Sequence, residues 1–335
     1  MNTLVTKKFL ALVLMVVLCF GCTNNISSNP DVLDYLSVTV TKEYDSNQIS
    51  GLETSVFALN FKDGEYIGNE LMYSFPYRAQ YPLALYDKSR DSVFYTSKDV
   101  SGMGDQIFQY NVKDKTTKQL TYSLFGANYI VPLNDKEIFI VAAPLDAELV
   151  TLQPYVYNFD KEQLIQIQWD YDLFIKKIFA LDNSGAIYMS VQSQRQMREL
   201  MEMEVEYGGV NESLQADTHI FKYENHQFTH VIEIEQFLLN NFVIIDDHLY
   251  FDNELFPMVG CRNIQTKEKC EWIDINLTYG QYDTGTNSVF SIRNGSIHRL
   301  NLDSKESNDI FKNPFQEGKS AINNQWMIYK KEGKQ

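Results

Sequence analysis

From Val56 onward, two kinds of short apolar segment alternate along the chain. In the first kind, apolar residues alternate with others and a polar residue follows: Val56-Phe57-Ala58-Leu59-Asn60, Ile107-Phe108-Gln109-Tyr110-Asn111, Pro154-Tyr155-Val156-Tyr157-Asn158, Ile220-Phe221-Lys222-Tyr223-Glu224, Cys261-Arg262-Asn263-Ile264-Gln265 and Ile297-His298-Arg299-Leu300-Asn301. The second and fourth places share one face of a strand. The Asn that most copies carry in fifth place opens a turn through charged residues into another short strand, so each copy predicts a β-hairpin. The second kind is an apolar run without alternation, folded about an Asp or Asn turn. Its copies are Leu83–Tyr86 with Ser92–Tyr95, Tyr129–Val131 with Ile138–Val141, Lys177–Ala180 with Ile187–Met189 and Phe242–Ile245 with Leu249–Phe251, then a weaker copy near Asn287, and Ser320–Ile322 with Trp326–Tyr329. Unbroken apolar runs belong to strands covered on both faces.

Inner hairpins covered on both faces and outer hairpins that alternate are what the stacked four-stranded blades of a β-propeller require. The first kind recurs at an average step of about 48 residues, close to the length of a propeller blade. The fold class is therefore all-β, a six-bladed propeller formed by residues 34–332 as a single domain. The chain opens on an outer hairpin and ends on an inner one. Pairing of these two half-blades closes the ring and leaves no exposed edge at the seam. Leu36-Ser37-Val38-Thr39-Val40-Thr41 is left over, as an extra edge strand or as part of a seventh blade.

The stretch from Tyr86-Asp87-Lys88-Ser89-Arg90-Asp91 through Ser92-Val93-Phe94-Tyr95-Thr96-Ser97, with Gln106-Ile107-Phe108-Gln109-Tyr110 and Lys118-Gln119-Leu120-Thr121, resembles one repeat of the TolB-type, WD-like propellers of bacterial envelopes. The other blades share the rhythm of that repeat, and the Pro-Asp-Gly turn common in the family is absent. The resemblance implies a propeller fold more strongly than any activity.

Ahead of the repeats, Lys7 and Lys8 precede the apolar run Phe9–Phe20, and Gly21 stands directly before Cys22. This is the layout of an export signal, with an apolar core too short to span a bilayer comfortably. The small residue before the cysteine makes it resemble a bacterial lipoprotein signal. That implies removal of residues 1–21 and a lipid on Cys22, with 22–33 as a polar tether. The expected location is extracytoplasmic, on the membrane, facing periplasm or cell exterior. The net charge of -15 argues against nucleic acid as a partner and against adhesion to an anionic membrane surface. Attachment then falls to the lipid, and the expected state is a monomer.

No nucleophile elbow, phosphate-binding glycine loop or His-Glu-x-x-His motif occurs. Four of the five histidines, His219, His226, His230 and His248, cluster in sequence. His226 and His230 are four apart, which on one strand separates them by about 13 Å, too far to share a metal. Neither a metal nor a cofactor is expected. Cys261 and Cys270 stand on opposite arms of one outer hairpin, a candidate disulfide in an exported domain. Residues 192–207, rich in Gln, Arg, Met, Glu and Leu and followed by Gly208-Gly209, predict a helical insertion with a Met-rich stripe that includes Met197 and Met201. The insertion joins an inner strand to an outer one, on the same rim as the connections between blades. Those connections supply Tyr73, Phe75, Tyr77, Tyr81, Trp169, Tyr171, Phe256, Tyr279 and Tyr282, and with the two methionines they form the candidate binding rim. The expected function is non-catalytic binding of a protein or peptide of the cell envelope. The alternatives are a polysaccharide-active enzyme using Asp170, Asp172 and Glu254, or a small-ligand sensor with a closed pocket beneath the rim.

Overall fold

A computed structural model describes residues 33–330, apart from 47–48, 80, 82, 100–101, 103, 147–150, 171, 182–185, 208–214, 236, 238, 254–257, 316–319 and 323–326. The export signal, Cys22, Tyr171, Glu254, Phe256 and Trp326 lie outside the described residues.

Six sheets follow one another along the chain. The first holds β1 (Leu33–Ser46), β2 (Ile49–Lys62) and β3 (Glu65–Pro76). Blade 2 is β4 (Ala84–Asp87), β5 (Ser92–Lys98), β6 (Asp105–Asn111) and β7 (Thr116–Gln119). Blade 3 is β8 (Leu124–Asn134), β9 (Glu137–Pro144), β10 (Gln153–Asn158) and β11 (Gln163–Gln166). Blade 4 is β12 (Leu173–Leu181), β13 (Ala186–Ser193), β14 (Thr218–Glu224) and β15 (Gln227–Ile234), with helix α1 (Gln194–Tyr207) between its second and third strands. Blade 5 is β16 (Leu239–Ile245), β17 (His248–Asn253) and β18 (Val259–Asn263), and blade 6 is β19 (Gln281–Asp283), β20 (Ser288–Arg293), β21 (Ser296–Asn301) and β22 (Ser307–Lys312). All pairings are antiparallel and each inner hairpin continues into the outer hairpin that follows it. The fold is a six-bladed β-propeller.

Two details depart from the sequence-based expectation. The ring closes three plus one, not two plus two. The last two strands, β23 (Ser320–Ile322) and β24 (Met327–Lys330), do not form a hairpin. Both pair with β1, at Val40–Lys42 and at Leu33–Ser37, as one interrupted innermost strand. The leftover Leu36–Thr41 segment is thus the second strand of the closing blade, and no seventh blade is present among the described residues. Its Ser-Val-Thr-Val-Thr pattern hid that position because the Ser37 and Thr39 hydroxyls are buried and used between blades. Thr39 Oγ1 donates to the Ala84 carbonyl at 2.7 Å, and the Tyr86 N–H donates to Ser37 Oγ at 2.7 Å. The second departure is in blade 5, whose fourth strand shrinks to an isolated bridge between Arg262 and Lys269. Cys261 and Cys270 flank that bridge and are joined as a disulfide, with Cα atoms 5.1 Å apart.

The core is a ring of inter-blade layers rather than one central mass. Phe139 of blade 3 meets Tyr223 of blade 4 at 4.9 Å between centroids, Phe179 meets Phe242 at 6.0 Å across blades 4 and 5, and Phe57 meets Phe311 at 5.5 Å across the seam of blades 1 and 6. Such aromatic pairs add about 1 kcal/mol each to the area they bury.

Candidate functional site

Six innermost strands facing one axis enclose a cavity of about 320 Å³. Every blade contributes to its lining: Tyr81 and Leu83 ahead of and at the entry to β4, Asn128 and Tyr129 on β8, Lys177 on β12, Asn241 on β16, Tyr279 and Gln281 at the entry to β19, and Ile322 on β23. Among the described lining residues, Lys177 alone carries a full charge. Its Nζ donates to Asn240 Oδ1 at 3.2 Å and lies 5.0 Å from the centroid of the Tyr279 ring. Asn241 organises the wall behind it. The Asn241 N–H donates to Asp252 Oδ1 at 2.6 Å, its Nδ2 to Asp252 Oδ2 at 3.2 Å, and its Oδ1 accepts the Tyr279 N–H at 3.3 Å. Burial raises the Asp252 carboxyl above the ordinary carboxylate range, against the Asn241 hydrogen bonds and the Lys177 charge that pull it down. Burial likewise pushes the Tyr129 phenol far up, and its hydroxyl donates to the Lys176 carbonyl at 3.2 Å. One ammonium, neutral phenols and amides suit recognition of a polar or anionic group. No serine–histidine or paired-carboxylate arrangement lines the cavity among the described residues.

Tyr81 and Tyr279 frame the mouth, and both lie in connections from an outermost strand to the next innermost one. Antiparallel alternation puts these connections on the same rim as those between second and third strands, so α1 stands on the rim of the mouth.

Helix α1 is fixed at its start by its own sequence and by the preceding blade connection. Ser193 is the N-cap, its Oγ accepting the Gln196 N–H at 3.2 Å. Asp172 accepts the Ser193 hydroxyl at 2.6 Å and the Arg195 N–H at 3.0 Å. The Ser193 bond, then the Arg195 contacts, hold the Asp172 carboxyl below its ordinary value. Asp170 accepts the Asp172 N–H at 3.0 Å in a side-chain turn. These two acids, candidates for catalysis from sequence, are thus engaged in turn and cap. At the return, Gln196 Nε2 donates to Asp217 Oδ2 at 2.8 Å.

The other rim residues divide by packing. Tyr73 stacks on Tyr110 at 3.7 Å, and buried Phe75 lies 4.4 Å from Tyr95, so both wedge blades 1 and 2 apart. Trp169 is buried against Phe221 and Phe228, with Nε1 donating to the Leu173 carbonyl. Tyr282 is buried and donates to Asn287 Oδ1 at 3.0 Å. These four belong to the blade packing, because aromatics at the ends of strands on this rim fall into the gap between sheets. Tyr77 and Met197 are half-buried, while Tyr81 and Met201 are exposed. Sequence reading gave no site role to Asn128, Tyr129, Lys177, Asn241 or Gln281: Tyr129 and Lys177 head inner runs read as covered on both faces, and Asn128 and Asn241 stand directly ahead of such runs. The available signal was the polar residue at the head of the innermost strands.

No family model matches the sequence, and no curated protein matches it. Among solved structures the architecture recurs. A chain of the nidogen/laminin complex superposes with a TM-score of 0.54 at 12% identity, over 88% of this chain and 97% of that one. TolB from Acinetobacter baumannii gives 0.50 at 11% identity, over 88% and 67%. Hydrazine synthase from Kuenenia stuttgartiensis gives 0.53 at 11% identity, over 90% and 47%. The likeness is one of fold.

The two rims differ in character. Among the described residues, twelve large hydrophobics are exposed. Ile67, Leu71 and Ile165 sit on outermost strands; Tyr81, Tyr122, Leu145, Met201, Met203 and Met258 lie in second-to-third or blade-to-blade connections, and Leu52, Phe125 and Val259 on the strand ends beside those connections. The opposite rim consists of tight turns of Asp, Asn, Lys and Gly, with left-handed backbone at Asp63, Gly64, Asp91, Lys115, Asp246 and Lys305 among others.

Proposed function

We propose that the chain is an exported, lipid-anchored, non-catalytic binding module that takes a peptide or protein of the cell envelope over the axial mouth. The single observation that carries this is the rim asymmetry. Exposed apolar residues scatter evenly on a surface without a partner and gather where a partner docks. The methionines of α1 add an adaptable contact at the same rim. Export and anchoring rest on the Lys7 to Cys22 segment.

A photoreactive side chain at Tyr122 or Met201 should capture the same discrete species in native membranes, while one at Asp246 or Lys305 should capture none. Equal capture from both rims, or capture from the polar rim alone, defeats the proposal. Cys22→Ala should move the protein from the membrane to the soluble fraction.

The axial cavity favours a companion reading, in which a small anionic group, free or carried by the bound peptide, enters beside Lys177. Lys177→Met should then weaken binding at least about tenfold, the loss expected of a desolvated charge-assisted hydrogen bond.

A further inference from the structure

The outer hairpin of blade 4 carries a group of side chains that the binding reading does not use. His219 on β14 pairs in register with Glu233 on β15, and Phe221 pairs with His230. In a regular strand His230 and Glu233, three apart, point to opposite faces. Here one extra residue, Val231, interrupts the ladder between the Ile220 and Phe221 positions. Val231 and Ile232 both pack into the cluster shared with blade 5, which leaves His230 and Glu233 together on the other face with His219. One-residue bulges re-aim side chains in this way. The bulge is held from the next blade, where Lys267 Nζ donates to the Val231 carbonyl and, at 2.6 Å, to the Ile264 carbonyl.

The three side chains each offer one ligand atom, and all three atoms lie within 4.8 Å of one another. His219 Nδ1 and Glu233 Oε2 are 3.5 Å apart, close to the edge of a tetrahedron with metal–ligand bonds of about 2.0–2.1 Å. The remaining separation closes with about 1 Å of movement, which the exposed side chains of His230 and Glu233 can supply against half-buried His219. We propose that His219, His230 and Glu233 form a site for a divalent transition-metal ion of the zinc class. Two imidazoles and one carboxylate select zinc, cobalt or nickel over calcium and magnesium, which take oxygen ligands. Three protein ligands leave the remaining coordination to water or to a donor brought by a partner. The site lies at the start of β14, at the end of the hairpin nearest α1. The Lys267 ammonium, a neighbour of the ring of His230, opposes the ion and limits its affinity. The other cluster histidines stand apart from the site, His226 in the β14–β15 turn against Glu137 at 3.3 Å and His248 on β17.

The test is titration of the chelator-treated, folded protein with Co²⁺, read by visible absorption, followed by competition with Zn²⁺. One equivalent should bind. His219→Ala, His230→Ala and Glu233→Gln should each weaken binding by about tenfold or more, since even outer-shell partners of a metal are worth that much. His226→Ala and His248→Ala should leave it unchanged. Deleting Val231 keeps all three ligands and sets His230 and Glu233 two apart on a regular strand, still on one face with His219, and should leave binding in place. Circular dichroism confirms that each variant is folded, and if the deletion does not fold, the three point variants decide. No stoichiometric binding, or binding that persists in the His219→Ala/His230→Ala double variant, overturns the proposal.

Discussion

At the scale of single residues, polar groups inside the ring carry the most information. Asp252 holds its proton more tightly in the folded protein than in the unfolded chain, because burial disfavours its charge. Its contribution to stability is therefore complete below the ordinary carboxylate pKa and declines as pH rises from there through the raised folded value. Asp252→Asn keeps an oxygen for the Asn241 N–H and removes that decline. Urea midpoints measured across the acid range should show the variant gaining on the wild type as pH rises through that window, and parallel profiles would contradict the assignment. The sequence did not show this network. Asn241 and Lys177 interrupt runs that are apolar on average, and only closure of the ring brings them to one axis. The same holds at Val231, where an unforeseen bulge brings His230 and Glu233, three apart, onto one face, a pairing the spacing of the histidines alone does not suggest.

Among elements, the alternation of hairpins was legible, because inner strands must be apolar on both faces and outer strands on one. The end of blade 5 was legible only in part, since a sequence that reads as a hairpin arm forms a single bridge beside the Cys261–Cys270 disulfide. That bond closes a short loop, and on a chain-entropy argument its removal by Cys261→Ser/Cys270→Ser should cost about 2.5 kcal/mol, read from urea unfolding. An unchanged midpoint would mean that the bridge alone holds the arm. The insertion was legible as a helix but its anchoring was not, because Asp172 reaches it from a different connection. Ser193→Ala should destabilise α1 locally by about 1 kcal/mol, seen as faster amide exchange in the first turn while β13 stays protected. Equal exchange in both proteins would show that Asp172 suffices.

For the whole molecule, closure depends on one interrupted strand laid against β1. Truncation after Phe315 removes β23 and β24 and exposes the inner edge of β1, an open template for pairing with another chain. The shortened protein should self-associate in size-exclusion chromatography and unfold at lower urea, and a monomer with an unchanged midpoint would show that the seam is dispensable. The sequence indicated that the two ends meet, but not their share of the blade, since the hydroxyl-rich β1 does not look like an interior strand until its partners on β4 are seen. The pairing of Leu33 with Lys330 also fixes where the chain departs. Both residues lie at the foot of the closing blade, beside the Asp63-Gly64 turn and away from Tyr81 and α1. The first and last described strands of the ring thus begin and end on the polar face, and the greasy rim opposite carries neither of these two ends.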